Sequence, residues 1–198
     1  MYNDYEYLDK ESAYTDKDTG VLKNIPKISN ADDLLFFESA SVARRLKDLE
    51  SKPIKIKHAV DLLRIHKYLF QDVYDWAGQT RRVEISKGEK QFLFVHSFDN
   101  GFAFIDSLLV EYFSIPHKDK NTIARKLAEI LDNLNHGHFF REGNGRAQRE
   151  FVRTLAVQKG YVLNLNPPDN MDIYERYMFG TINGDVGVLE DLIMELLK

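Results

Sequence analysis

The 198-residue sequence contains no cysteine. That excludes disulfides, thiolate nucleophiles and thiolate-held metals. Proline is scarce, at 5 residues. No apolar run approaches the ~18 residues that a membrane span needs, so no membrane association is expected. The first residues, MYNDYEYLDKESAYTD, lack the basic stretch and apolar run of a secretory signal, and the cytoplasm is the expected compartment. An excess of positive charge is also missing, since 27 Lys and Arg stand against 31 Asp and Glu, a net charge of -4. Such a chain lacks the field to displace counterions from a nucleic-acid backbone, so direct nucleic-acid binding is not expected and any phosphate chemistry must be local. What remains is a globular composition, 43% hydrophobic and 29% charged, at a length that fits one domain over 1–198.

The patterning is mostly helical. Residues 1–28 read as an irregular lead-in. Ser29-Asn30-Ala31-Asp32 then resembles a capping box ahead of a helix carrying Leu34, Leu35, Val42, Leu46 and Leu49, broken by Pro53. A second helix is expected over about 58–70. Residues 80–95 change character: Arg82-Val83-Glu84-Ile85 alternates, Ser86-Lys87-Gly88-Glu89-Lys90 is turn-rich, and Gln91-Phe92-Leu93-Phe94-Val95 favours strand. That predicts a hairpin, which must lean on the helices because an isolated one is marginal. Helical spacing returns over 99–113 and 122–134, and again from about 145 to a stop at Gly160. Asn166-Pro167-Pro168-Asp169 reads as a break before two helices near 169–179 and 187–198. The expected fold is all-α: one helical domain with a small β-hairpin.

The chemistry concentrates in His138-Phe139-Phe140-Arg141-Glu142-Gly143-Asn144-Gly145-Arg146-Ala147-Gln148-Arg149. Two glycines just before a helix let the backbone approach a ligand, and the helix start offers unpaired N–H groups and a positive dipole end. Together they make an anion site. Arg146 and Arg149, three apart, project from one face and suit a polyphosphate. Glu142 is one carboxylate at the edge, and Mg²⁺ is commonly held by one carboxylate plus phosphate oxygens. His138 is a candidate general base. Base, metal ligand, anion nest and phosphate clamps are what phosphoryl-type transfer needs.

This segment matches the Fic family signature, H-x-F-x-[DE]-G-N-G-R-x-x-R, at every fixed position, and the chain is identified as a member of that family. Phe139 stands where the family usually has proline. Tyr14-Thr15-Asp16, Gly20-Val21-Leu22-Lys23-Asn24, the stretch Leu69–Gln79 and Ile85-Ser86-Lys87-Gly88 also resemble family blocks, so the likeness covers about residues 14–195. The resemblance implies a Fic fold with the hairpin as a flap over the active site. It implies a protein adenylyltransferase moving AMP from ATP to a Ser, Thr or Tyr hydroxyl of a target protein, with release of pyrophosphate. His138 would then take the hydroxyl proton, and Glu142 would hold Mg²⁺. Gly143, Asn144 and Gly145 would form the anion hole. Arg146 would contact the β-phosphate region and Arg149 the γ-phosphate. Phe140 would anchor the loop in the core, and Ser86 and Lys87 of the flap would lie near the nucleotide. A target segment would add to the flap as a strand. Glycine at 145, where the related death-on-curing kinases have lysine, favours AMP transfer. Another diphosphate donor such as CDP-choline, or nucleotide binding without catalysis, stays open.

Many Fic proteins carry an inhibitory [ST]-x-x-x-E-[GN] helix whose glutamate pairs with the second signature arginine. Only Glu142-Gly143 has the required last pair here, and His138 precedes it by four. The resemblance therefore implies that a separate small antitoxin supplies a glutamate to Arg149, or that the brake lies beyond Lys198. The first matches the bacterial toxin–antitoxin members of the family. His136 beside His138 does not make a metal pair, because the two point apart at a helix end. His66 and the aromatic group Tyr68, Phe70, Tyr74 and Trp76 read as packing residues. Arg44-Arg45 and Arg81-Arg82 read as solvated faces or flap charges, and Arg153 as a helix ion-pair partner.

Overall fold

The computed structural model describes residues 5–7, 13–88, 90–165 and 170–198. Its elements run β1 (Tyr5–Tyr7), α1 (Ala31–Ser51), α2 (Asp61–Phe70), β2 (Ile85–Lys87), β3 (Lys90–Gln91), α3 (Phe98–Ser114), α4 (Lys120–Gly137), α5 (Asn144–Gln158), α6 (Met171–Asn183) and α7 (Val186–Leu196). The predominantly helical architecture read from the sequence is the observed one.

The helix starts follow from side-chain caps. Asn30 accepts from the backbone N–H of Asp32 and Asp33, and those two aspartates face the positive end of α1. Asp119 and Asp185 cap α4 and α7 in the same way. The second helix begins at Asp61 rather than near 58, because the Asp61 carboxylate accepts from the N–H of Lys57 and His58 and folds those residues into a turn. The expected break at 166–169 lies outside the described residues.

α4 is the central strut. Ile123, Ala124, Leu127, Ala128, Ile130, Leu131 and Leu134 are all buried, a face wide enough to pack against α3, α5 and α7. Each fully buried Leu or Ile contributes about 1.5–3 kcal/mol. The site therefore hangs from the end of the most deeply packed helix, and α5, also lined by buried side chains, receives the chain on the other side of the loop.

The hairpin over 80–95 is shorter than its composition suggests. Only Ile85–Lys87 and Lys90–Gln91 form strands, because the flanks are spent on other partners: Leu93 N–H donates to the His136 carbonyl, and Arg81 takes the carbonyls of Val83 and Leu93. The lead-in is less irregular than expected. β1 pairs antiparallel with the other edge of β2, Glu6 opposite Ser86, to give a three-stranded β1-β2-β3 sheet. Three residues are too few to register as an alternating pattern.

Candidate active site

α4 ends at Gly137, and His138 takes the left-handed conformation, φ 40°. For a histidine that costs about 1–3 kcal/mol, so its surroundings must hold it. Its ring stacks on Phe92 at 4.0 Å, and its carbonyl accepts from Arg81 Nε at 2.8 Å. The next two residues anchor the loop. Phe139 stacks on Phe102 at 4.2 Å, so an aromatic side chain in the core fixes the position where the family commonly uses proline. Phe140 is fully buried and stacks on the His66 ring at 3.7 Å.

The Asn144 side chain closes the loop by accepting from Phe140 N–H at 2.9 Å and donating to Phe140 C=O at 2.7 Å. It is thus occupied within the protein, and of the three expected anion-hole residues only Gly145 lines the cleft described below. Gly143 sits at φ 80°, where a Cβ would lie 2.2 Å from the Phe70 ring. No other residue fits there.

His66 does more than pack. It has no exposed surface. Its Nδ1 accepts from Gly78 N–H at 2.9 Å, which makes Nε2 the donor to the Glu142 carbonyl at 3.0 Å. Burial presses its pKa from the ordinary 6.5 to about 3, so the ring is neutral and this tautomer is fixed. A neutral imidazole therefore holds the signature loop from beneath.

A cleft of about 420 Å³ opens beside the loop. His138, Gly145, Arg149 and Lys87 line it, together with Lys90, Tyr177 and Met178. Lys90 Nζ donates to the carbonyls of Thr181 and Ile182, which ties the flap to the end of α6 across the cleft. Arg149 lies over the Tyr177 ring at 4.9 Å. Burial, reinforced by Arg81, Lys87 and Lys90, presses the His138 pKa to about 3, against an opposing hydrogen bond with the Asn135 backbone. The imidazole is neutral and can accept a proton.

Other expected site residues stand elsewhere. Ser86 is paired within the sheet between Glu6 and Gln91 and does not line the cleft. Glu142 and Arg146 line a separate recess beside Tyr7 and Glu38. Arg146 is held there by Glu38 at 2.6 Å and Glu142 at 3.4 Å, over the Phe70 ring. A further recess is lined by both Arg146 and Arg149, together with Arg153, Glu50 and Glu150. Arg141 lies over the Tyr7 ring, away from solvent. Arg153 pairs with Glu150 at 2.7 Å, as expected. Arg81 is not a solvated flap charge: its side chain is fully buried. Among the described residues no group of three or more His, Asp or Glu side chains could hold a metal. No helix among them is long and apolar enough to cross a membrane.

The Fic/DOC family profile matches residues 56–156, which includes α2, the flap and the loop. The chain belongs to the Fic/DOC family. Among Fic relatives, the protein adenylyltransferase VbhT of Bartonella schoenbuchensis is 36% identical over 157 residues, 79% of this chain and 33% of VbhT. The chain thus spans about a third of that relative's length. A Sinorhizobium fredii protein named "Probable protein adenylyltransferase y4lH" is 30% identical over 187 residues, 90% of this chain and 92% of its own. Among solved Fic folds, BepC of Bartonella tribocorum, with bound AMPPNP, superposes at a TM-score of 0.78 and 22% identity, covering 93% of this chain and 96% of BepC.

Proposed function

We propose that this Fic protein is a protein adenylyltransferase, a nucleotidyltransferase that moves AMP from ATP to a Ser, Thr or Tyr hydroxyl of a target protein. The observation that carries the reading is the convergence of His138, Gly145, Arg149 and Lys87 on one cleft at the start of α5. The names of VbhT and y4lH, and the ATP analogue in BepC, support it.

The triphosphate tail rests on the α5 N-terminus, with its N–H groups and dipole, and Arg149 takes the outer phosphates. Neutral His138 accepts the proton as the target oxygen attacks the α-phosphorus. The new O–P bond forms, the α–β phosphoanhydride breaks, and pyrophosphate leaves. Phosphate anions beside His138 raise its proton affinity from the low value set by burial, which brings the base toward its working range. Glu142 is the residue that would hold Mg²⁺: its carboxylate is 37% exposed and, although it opens on the recess beside Arg146 rather than on the cleft, it stands next to Gly143, whose N–H it accepts at the start of α5. When bound, Mg²⁺ supplies charge neutralisation of the leaving pyrophosphate.

The target segment adds to the flap sheet as a strand. With β1 on one edge of β2, it pairs with the outer edge of β3 or displaces β1. The missing inhibitory pattern fits a toxin whose Arg149 is blocked by a glutamate from a separate small antitoxin. An ATP-consuming toxin of this kind works in the cytoplasm.

Incubation with α-labelled ATP, Mg²⁺ and a bacterial lysate should label a protein band, and His138→Ala should abolish the label. Label from CDP-choline but not from ATP would reject AMP transfer. Induced expression should arrest growth, and His138→Ala should relieve the arrest. A small protein carrying the [ST]-x-x-x-E-[GN] pattern, when co-expressed, should relieve the arrest by wild type and co-purify with it, but should not co-purify with Arg149→Ala.

A further inference from the structure

Arg81 is 1% exposed and lies at the root of the flap, ahead of β2. Its backbone N–H donates to the Phe139 carbonyl at 2.8 Å. Its guanidinium donates from Nε to the His138 carbonyl at 2.8 Å and from Nη1 to the Val83 carbonyl at 2.7 Å; Nη2 donates to the Leu93 carbonyl. Nη1 also pairs with Glu84 at 3.2 Å, and Glu84 in turn accepts from Val95 N–H at 3.1 Å. The ring of Phe98 covers the guanidinium at 4.8 Å. Val83 and Glu84 enter the hairpin, and Leu93 and Val95 leave it. One buried fork therefore gathers both roots of the flap and the backbone of the candidate base.

The arrangement is more than a packed arginine needs. A buried guanidinium requires acceptors, and any carbonyls would satisfy it. These carbonyls belong to the one non-glycine residue of the loop with a left-handed backbone and to the segments that lead into β2 and out of β3. Phe92, between those ends, stacks on the His138 ring. The flap root and the imidazole thus share two connections, one through the backbone and one through the rings.

Resting on the reading of the chain as a flap-docking transferase, we propose that Arg81 is a positioning residue for the transfer. It ties both roots of the flap to the His138 carbonyl, so that the strand on which an acceptor docks and the base that deprotonates it keep one register. It touches neither nucleotide nor target. Loosening it moves the hydroxyl relative to the imidazole while leaving the phosphate seat on α5 in place.

Arg81→Lys keeps the charge and loses the fork. Hydrogen exchange of the Phe92, Leu93 and Val95 amides, measured without ATP or target, should accelerate about tenfold or more, while interior amides of α4 and α7 keep wild-type protection. In the labelling assay kcat should fall on the order of 10²-fold with KM for ATP within about twofold, as expected for misplacement of a reacting group by about 1 Å. Exposed Arg82→Ala should change neither quantity. Unchanged flap exchange, or an increase shared equally by α4 and α7, overturns the proposal, as does a rise in KM for ATP that accounts for the whole loss. Should Arg81→Lys fail to fold, Glu84→Gln decides alone. It loosens the root without removing the guanidinium, and flap exchange and kcat equal to wild type would then overturn it. Absence of any labelling by the wild-type chain rejects adenylyl transfer instead, and leaves the exchange result to be read on its own.

Discussion

Glu38 on α1 and Arg146 on the first turn of α5 meet at 2.6 Å, with the Tyr74 hydroxyl donating to the other carboxylate oxygen of Glu38. Glu38 is 4% exposed. The pair joins the first helix to the signature, and Tyr74 adds the turn after α2. Burial and the neighbouring Glu38 push the Tyr74 phenol upward, so it remains a donor at any ordinary pH.

Removing one member of a fully buried pair costs about 3–5 kcal/mol, because the other is left uncompensated. The Arg146 side chain is 24% exposed, which lets water take part of the load. Glu38→Ala should therefore destabilise by about 2–3 kcal/mol, and Glu38→Gln, which preserves shape and the Tyr74 contact, by about 1 kcal/mol. Urea unfolding at neutral pH measures both. Equal stability of Glu38→Ala and wild type would show that the pair is a solvent-screened contact.

His66 and the Glu142 carbonyl make a second such link, from α2 to the loop. His66→Phe keeps the stacking on Phe140 and strands two partners, the Glu142 C=O and the Gly78 N–H, each at about 1–3 kcal/mol. His66→Gln can replace the Nε2 donor. Calorimetry should show ATP binding weakened about tenfold in His66→Phe and largely restored in His66→Gln. Identical affinities in the two variants would mean that the ring's shape, not its hydrogen bond, matters.

These links mark the limit of what the sequence discloses. The loop 138–149 and the helices around it were legible, because the signature is local and the helices are periodic. The hairpin was legible in kind but not in length, since its flanks are consumed by partners far away in sequence. Glu38 carries no reading in the sequence, His66 reads only as a packing residue and Arg81 as a solvated flap charge, for a shared reason: each is polar on a buried phase. Glu38 falls four residues after Leu34 and four before Val42, both buried. Arg81 falls on the same alternation as buried Val83 and Ile85. A charge in phase with a core stripe was the available signal. What it pairs with is a tertiary fact that spacing alone does not contain.

Two neutral, buried histidines make stability depend on pH. For both His66 and His138 the folded pKa is pressed from 6.5 to about 3, so below 6.5 the unfolded chain binds protons that the folded chain refuses. Stability is fully present above that value and falls as pH drops from about 6.5 toward 3. Each group contributes a slope of up to about 1.4 kcal/mol per pH unit. Urea midpoints taken between pH 7 and 5 should fall, and His66→Gln should reduce the slope by about half. A flat profile over this range would show that the imidazoles are hydrated or protonated in the folded state.

Gly143 and Gly145 should respond with opposite signs to the same added methyl group. At Gly143 the backbone is left-handed, and the Cβ would lie 2.2 Å from the Phe70 ring. Alanine there should cost about 2–4 kcal/mol from backbone strain and overpacking, visible as a lowered melting temperature. Gly145 is helical, and the nearest atoms its Cβ would meet are the Arg149 guanidinium at 3.1 Å and the Tyr177 hydroxyl at 3.7 Å. The guanidinium ends a flexible chain and can move aside. Alanine there should raise stability by up to about 1 kcal/mol through helix propensity, yet weaken ATP binding about tenfold by displacing Arg149 from the outer phosphates. Loss of affinity together with gained stability assigns Gly145 to the ligand rather than to the fold; unchanged ATP affinity in Gly145→Ala would remove Arg149 from the phosphate site.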